Sequence, residues 1–245
     1  MAKNMAIFRT WAQKQPSSLS PDILLTHTDT SMTVFDAYPK SIFHVLVLPR
    51  ILPPLTITNS SDLKTLLRED KKLAKDCIQN LADDAAKVKG MIEDEMVKRF
   101  GFKWPIWMGF HAVPSMVHLH LHILSADLCS PSMKNKKHYN SFHPKVGFFL
   151  HLDEVLSWFD AEPSYYKTMT KLDKTQYEPK LKEPLECFHC GKELKNIPLL
   201  KSHLQDEWDK VAARAKKAIP QTKRARDEET GEDEPARKKQ ESTAE

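Results

Sequence analysis

The segment HLHLHIL, residues 118–124, constrains the fold of this chain more than any other stretch. Histidine alternates with an apolar residue, and a period of two residues is the period of a β-strand. The pattern predicts a strand with His118, His120 and His122 on one face and an apolar face directed into the core. Because unpaired imidazoles are costly to bury, the histidine face should meet water, a metal ion or an anionic ligand.

Three interpretations of this face are open. The first is a half-exposed strand without a special role. The second is a three-histidine metal site of the kind that binds zinc, although three positions about 7 Å apart on a straight strand span too far for one small ion. The third is a phosphate site, in which imidazoles donate hydrogen bonds and one of them acts as a nucleophile.

The flanking segments predict a sheet with a helix packed on it. Residues 32–50 have the composition of two strands, and residues 104–115 predict a further strand that enters a loop at Pro114. Between them, apolar residues recur at helical spacing from Leu63 to Val88, which indicates an amphipathic helix. Its N-cap candidates are Asn59, Ser60 and Ser61.

A second motif, CFHCGKELKNIPLLKSHLQDEW, has the ligand spacing of a zinc finger. Cys187 and Cys190 form a C-x₂-C pair, and His203 and Glu207 follow one helical turn apart, so all four can meet one ion. His189 inside the cysteine knuckle is a possible substitute ligand. The motif predicts one structural Zn²⁺ per chain, because a module of this size needs its metal to fold.

Charge is distributed unevenly along the chain. It has 37 basic and 33 acidic residues, of which six and eight lie in residues 221–245, which leaves 31 and 25 elsewhere. The folded part is therefore mildly basic, which suits a polyanionic partner. The segment from residue 218 is charged and poor in apolar residues, so it is predicted to be disordered, and its KRAR and ARKK clusters indicate nuclear import. No apolar run approaches the roughly 20 residues that cross a bilayer, and no membrane association is expected.

The histidine run resembles the histidine triad superfamily of nucleotide hydrolases and transferases. With YPKSIFHVLVLP, GFHAVPSMVHLHLHILSADL and SPSMKNKKHYNSF, followed by the finger, residues 5–212 resemble the aprataxin family in its shorter, fungal form. The resemblance implies an α+β, histidine-triad fold with an antiparallel sheet and packed helices. It implies a catalytic domain in residues 1–165, a linker and C2HE finger in 166–217, and the charged tail in 218–245.

The resemblance also implies an activity, the removal of AMP from 5′-adenylated DNA. His120 would attack the α-phosphorus and form a covalent histidine–AMP, and no metal would be needed for this step. His122 would donate to a phosphate oxygen, His118 would orient the nucleophile through local hydrogen bonds, and His44 corresponds to a fourth histidine near the site. Taken alone, His44 could be a core histidine.

Further implied roles concern the nucleotide and the DNA. Ser115, the Met116 backbone and Ser125 would bind phosphate, Asp36 would bind the ribose hydroxyls, and Lys40 would support the Asp36 loop. Without the resemblance, a turn cap is the simpler interpretation of Asp36. The residues implied to bind DNA are the stacking aromatic Phe8, or alternatively Trp11, and the basic loop of Lys134, Lys136, Lys137 and His138.

Two other functions are open from the sequence. One is hydrolysis of small adenylates such as AMP-lysine or dinucleoside polyphosphates, and the other is non-catalytic DNA binding through the finger. The expected partners are 5′-adenylated DNA at nicks or RNA–DNA junctions and the product AMP. A monomer in the nucleus is expected.

Overall fold

A computed structural model describes residues 5–218 of the chain. The charged tail and its two basic clusters lie outside the described residues, apart from Ala218 at the end of the last helix. No helix in residues 5–218 is long and apolar enough to cross a membrane.

Six strands form one antiparallel sheet, with the order β1-β2-β3-β5-β4-β6. The strands are β1 (Leu24–His27), β2 (Ser31–Phe35), β3 (His44–Pro49), β4 (Ile106–His111), β5 (Leu121–Ser125) and β6 (Phe149–His151). Every residue of β3 and β5 is buried, which agrees with their central positions.

Eight α-helices surround the sheet in the described part of the chain. They are α1 (Ile7–Ala12), α2 (Leu63–Leu66), α3 (Lys71–Phe100), α4 (Lys136–Asn140), α5 (Leu152–Trp158), α6 (Pro163–Met169), α7 (Lys174–Tyr177) and α8 (Ile197–Ala218). Short 3₁₀ helices occupy Pro16–Ser18 and Glu178–Lys182, and the finger contains the two-stranded sheet of β7 (Leu185–Glu186) and β8 (Glu193–Leu194). The linker is therefore folded over much of its length.

Helix α3 covers one face of the sheet. Its apolar stripe, including Ile78 and Leu81, packs against the inward residues of β3 and β5 in the largest hydrophobic core. The predicted N-cap was wrong, because Asp62 caps α2 and Asp70 caps α3 through their side-chain oxygens. The helix continues through Gly90 and ends at Gly101, whose φ of +80° suits a glycine C-cap.

The opposite face of the sheet carries two smaller cores. One joins α1 to β2 and β3 around Met32, Val34, Leu46 and Leu48. The other joins the end of β5 to α4 and the finger. His44 and His122 project from β3 and β5 next to Phe142, which is a member of this second small core.

Candidate active site and zinc centre

The histidine segment enters strand geometry only at Leu121, because its first residues bind a distant loop. The His118 and Leu119 amides donate to the carbonyls of Ser61 and Ser60, each over 2.8 Å, and His118 has a φ of +96°. The prediction that all three histidines share one strand face is therefore wrong. The His118 ring binds the backbone of β3, with its Nε2 2.7 Å from the Pro49 carbonyl. The rings of His120 and His122 remain neighbours, with centroids 5.0 Å apart.

The His120 ring is held in one tautomer. Its Nδ1 lies 2.7 Å from the backbone carbonyl of His118, which can only accept, so Nδ1 carries the proton and Nε2 has a free lone pair. Burial lowers the pKa of His120 below its ordinary value. The Phe8 ring lies against His120, with centroids 5.2 Å apart. His120 is thus a neutral imidazole near pH 7, as a nitrogen nucleophile requires.

His44 and His122 form a second oriented pair. The Lys40 amide donates to Nδ1 of His44 over 3.1 Å, so the proton of His44 is on Nε2, which lies 3.0 Å from Nδ1 of His122. His122 consequently carries its proton on Nε2, and this buried nitrogen has no hydrogen-bond partner within residues 5–218. Burial lowers the pKa of His44 to about 4 and that of His122 well below its ordinary value. A neutral donor N–H is therefore available beside His120.

Asp36 lies beside His44 of this pair. Its Oδ1 accepts the Tyr38 amide over 2.7 Å, the turn-capping contact, and its Oδ2 is 3.6 Å from Nδ1 of His44. That distance suits an ion pair only if His44 is protonated, and a pKa of about 4 with Nδ1 already accepting from Lys40 argues against one. The Lys40 ammonium bonds the Tyr38 carbonyl, so Lys40 supports this loop.

Atoms of Asp36, His44 and His122 lie within 4.8 Å of one another, which is close enough for a metal ion. The hydrogen bond between the two imidazoles already accounts for their approach.

A further histidine, His111, joins the site from β4. Its ring centroid is 4.5 Å from that of His122 and 4.6 Å from that of Phe142, and burial lowers its pKa to about 3. The proximity of His111 to His122 depends on the pairing of β4 with β5, in which Gly109 lies opposite His122, and this pairing has no local signal in the sequence.

The residues expected to bind phosphate separate into two groups. Ser115 is exposed and Met116 is half-buried in the loop before His118, and Val117 of this loop is tied to the Met5 carbonyl over 2.8 Å. Ser125 is fully buried, at the end of β5 and on the face opposite His122. Its hydroxyl accepts the Phe43 amide over 3.0 Å and donates to Asp127. These bonds commit the Ser125 hydroxyl to the core, which argues against the prediction that Ser125 binds nucleotide.

The basic loop lies next to the histidines. Lys134, Lys136 and Lys137 are exposed, and none of them has an ion-pair partner among the described residues. Asn135 caps α4 by accepting the His138 amide over 3.0 Å, and the ring of His138 accepts the Lys134 amide. Phe142, just after α4, contacts the rings of His44, His111 and His122, so the segment that follows the loop packs on the histidine cluster.

Three of the four predicted ligands of the finger meet in the structure. Donor atoms of Cys187, Cys190 and His203 lie within 4.8 Å of one another, and Oε1 of Glu207 is 3.9 Å from Nε2 of His203. Two sulfurs, an imidazole nitrogen and a carboxylate oxygen form a donor set that suits tetrahedral zinc. Glu207 and His189 are both outside the three-residue group. Oε1 of Glu207 also lies 2.9 Å from Nζ of Lys210, and the ring of His189 lies on Phe188 with centroids 3.9 Å apart. These residues fit a structural Zn²⁺.

The finger packs into the catalytic part of the chain. The Tyr139 hydroxyl donates to the Glu186 carbonyl over 2.8 Å and accepts the Phe188 amide over 3.2 Å. Cys187, Leu200 and Leu204 share one core with Leu124, Phe142 and Phe149. The finger and the histidine cluster are therefore joined by a continuous buried core.

Two known protein families match this chain. Residues 10–138, more than half of it, match the family described as Scavenger mRNA decapping enzyme C-term binding. Residues 145–210 match the C2HE / C2H2 / C2HC zinc-binding finger. The second match covers all four predicted zinc ligands.

Relatives that match about four fifths of the chain are named aprataxin or aprataxin-like protein. Aprataxin of Danio rerio is 36% identical over 197 residues, which cover 80% of this chain and 53% of the relative, so the chain spans about half the length of the vertebrate protein. An aprataxin-like protein of Saccharomyces cerevisiae is 30% identical over 216 residues, which cover 79% of this chain and 91% of the relative. The crystal structure of the aprataxin ortholog Hnt3 in complex with DNA matches with a TM-score of 0.65 and 27% identity, over 86% of this chain and 98% of that one. The predicted α+β, histidine-triad fold with a C-terminal finger is confirmed, and the chain belongs to the aprataxin family.

Proposed function

We propose that this protein removes AMP from 5′-adenylated DNA ends, as left by abortive ligation, and restores the 5′-phosphate. The observation that carries the proposal is the fixed tautomer of His120, which presents a neutral Nε2 lone pair next to the donor N–H of His122. This pairing suits nucleophilic attack on a phosphorus atom.

In the first step, Nε2 of His120 attacks the α-phosphorus of the adenylate. A nitrogen–phosphorus bond forms, the phosphorus–oxygen bond to the DNA phosphate breaks, and the electron pair leaves on that phosphate oxygen. The positive charge that develops on the His120 ring is stabilised by the hydrogen bond from Nδ1–H to the His118 carbonyl. The Nε2–H of His122 donates to a phosphoryl oxygen, where negative charge builds in the transition state.

In the second step, water attacks the same phosphorus atom and releases AMP. The nitrogen–phosphorus bond breaks, and the proton lost by water returns to the solvent while His120 regains its neutral form. Asp36 would hold the ribose hydroxyls, and Ser115 with the Met116 amide would hold phosphate oxygens. No metal ion is required in either step, and the proposed Zn²⁺ has a structural role only.

DNA as the substrate is supported by the exposed lysines of the basic loop, which have no ion-pair partner within residues 5–218, and by the solved complex of Hnt3 with DNA. Phosphate contacts from Lys134, Lys136 and Lys137 would bind the backbone irrespective of sequence. Phe8 is better placed than Trp11 to stack on a terminal base, because its ring lies on His120. Nicks and RNA–DNA junctions are the substrates we propose first. We also propose a nuclear location, where this substrate occurs.

A nicked duplex whose 5′ end carries radiolabelled AMP tests the proposal. We expect wild type to release AMP and leave a ligatable 5′-phosphate, and a rapid neutral quench to reveal a labelled adduct on His120. His120→Ala should lose both signals, while His27→Ala, an exposed histidine of β1, should keep both. Release of label without an adduct on His120, or full activity of His120→Ala, would contradict the proposal.

The main alternative is hydrolysis of small adenylates. Both substrates would use the same histidines, so the comparison of kcat/KM for AMP-lysine and for adenylated nicked DNA separates them. We expect DNA to be preferred, because the basic loop and the finger can contact only a long substrate.

A further inference from the structure

Asp127 is a buried carboxylate that the proposed chemistry does not use. It follows β5 directly and is 2% exposed. Its Oδ2 accepts the Ile42 amide over 2.9 Å, and its Oδ1 accepts the Trp104 indole N–H over 3.2 Å and the Ser125 hydroxyl. Burial raises the pKa of Asp127, and these three hydrogen bonds act in the opposite direction. Such a dry, multiply bonded carboxylate fixes the groups that donate to it.

One of those donors, Ile42, belongs to the segment that leads into His44, and a second residue of this segment, Phe43, binds Ser125. The Ile42 amide binds Asp127 directly, and the Phe43 amide binds the Ser125 hydroxyl over 3.0 Å. The Ser125 amide in turn donates to the Phe43 carbonyl over 2.9 Å. The backbone just before His44 is therefore tied to the end of β5, the strand that carries His122.

We infer that Asp127 is a positioning residue that holds His44 at hydrogen-bond distance from His122. The two rings meet through one bond, from Nε2–H of His44 to Nδ1 of His122 at 3.0 Å, and such a bond weakens steeply with misalignment. This bond determines that His122 carries its proton on Nε2. The Ile42 tether fixes the start of β3, so the tautomer of the phosphate-facing histidine depends on a carboxylate that never touches substrate.

The variant Asp127→Asn tests this inference, because it keeps the shape of the side chain but replaces one acceptor oxygen by a donor. The single oxygen of the asparagine amide can accept either the Ile42 amide or the Trp104 and Ser125 donors, but not both sets. Asp84→Asn is the matched control. Asp84 is also buried and also accepts three hydrogen bonds, from Thr28, Ser31 and Lys87, but these groups belong to β2, its turn and α3, away from the histidines. Cys129→Ala is a second control, since its thiol lies 3.6 Å from Asp127 without tethering the backbone.

The primary readout is imidazole ¹⁵N NMR of the free, zinc-loaded protein. Wild type, Asp84→Asn and Cys129→Ala should show His44 and His122 each protonated at Nε2. Asp127→Asn should show averaged tautomers for both rings. The kinetic consequence rests on the proposed function: kcat on adenylated DNA should fall by about tenfold or more in Asp127→Asn with KM nearly unchanged, a partial loss of the transition-state stabilisation that the His122 donor supplies.

Unchanged histidine signals in a folded Asp127→Asn protein, or a kcat equal to that of Asp84→Asn, would overturn the inference. If Asp127→Asn does not fold, Ser125→Ala replaces it. This variant removes the bonds of the Ser125 hydroxyl to Phe43 and Asp127 but keeps the bond from Ile42 to Asp127. It should perturb the same two rings to a smaller extent, and unperturbed rings would overturn the inference. If wild type does not hydrolyse adenylated DNA, the proposed function fails, and the NMR experiment still decides the role of Asp127.

Discussion

The carbonyl of His118 lies 2.7 Å from Nδ1 of His120, so the first histidine of the motif orients the second through its backbone. The conformation that aims this carbonyl has a φ of +96°, which is strained for a residue with a Cβ atom. The His118 ring itself is fully buried and bonds the Pro49 carbonyl over 2.7 Å.

This relationship predicts that His118→Gly is less harmful than His118→Ala. Both substitutions remove the ring and its bond to Pro49, but only alanine opposes a positive φ. We expect the glycine variant to be more stable by about 1 kcal/mol and to retain a higher kcat, because its backbone can still present the carbonyl to His120. Urea unfolding and turnover of AMP-lysine measure the two effects. A more active alanine variant would show that the ring, and not the backbone, orients His120.

The basic loop predicts a selective defect in DNA binding. Changing Lys134, Lys136 and Lys137 together to glutamine should weaken the affinity for adenylated nicked DNA. The salt slope, which is the slope of log K against log salt concentration, should fall in magnitude by up to about 0.9 per lost phosphate contact. Turnover of AMP-lysine should not change, because none of these lysines bonds to a histidine of the triad.

The matched control for the loop removes three charges from the other face of the sheet, at Lys71, Lys87 and Lys98 of α3. It should leave the salt slope near the wild-type value. Equal slopes for the two triple variants would assign DNA binding to net charge and not to the loop.

The sequence predicted those elements whose cause is local, whereas the two departures at the histidine site involve residues that are distant along the chain. The periodicity of residues 63–88 and the spacing of Cys187 and Cys190 each describe a face or a turn within one segment. The backbone of His118 departs from the strand because its amide meets the Ser61 carbonyl, 57 positions earlier in the chain. Ser125 is removed from the site by bonds to Phe43 and Asp127, and the first of these depends on the pairing of β3 with β5. Neither contact leaves a periodic signal in the sequence.

Removal of zinc is predicted to affect the histidine cluster as well as the finger. Phe142 touches three histidine rings of the site and belongs to the same core as Cys187, Leu200 and Leu204. We expect about one zinc per chain, and we expect Cys187→Ser to lose it, to unfold at lower temperature and to turn over AMP-lysine more slowly. Glu207→His should keep the metal, since histidine is also a zinc ligand. Full activity of metal-free protein on AMP-lysine would show that the finger core does not support the cluster.

The buried histidines predict a loss of stability in mild acid. Burial lowers the pKa of His44 and His118 to about 4 and that of His111 to about 3. Histidines of the unfolded chain have pKa values near 6.5, so between pH 6.5 and 4 the unfolded chain binds more protons than the folded chain. The contribution of these histidines to the free energy of unfolding is therefore largest above pH 6.5 and falls as the pH drops toward 4. For His44 alone, the difference over this window is about 3 kcal/mol.

Urea unfolding at fixed excess zinc, from pH 7.5 to 4.5, measures the slope of the free energy of unfolding against pH. His44→Asn should flatten it by up to about 1.4 kcal/mol per pH unit, the contribution of one proton, while the zinc contribution is common to both proteins and cancels in the difference. A variant slope equal to that of wild type would mean that folding does not lower the pKa of His44. The ring would then bind a proton as readily as in the unfolded chain, which contradicts a dry, neutral ring whose Nδ1 accepts the Lys40 amide and whose Nε2–H sets the tautomer of His122.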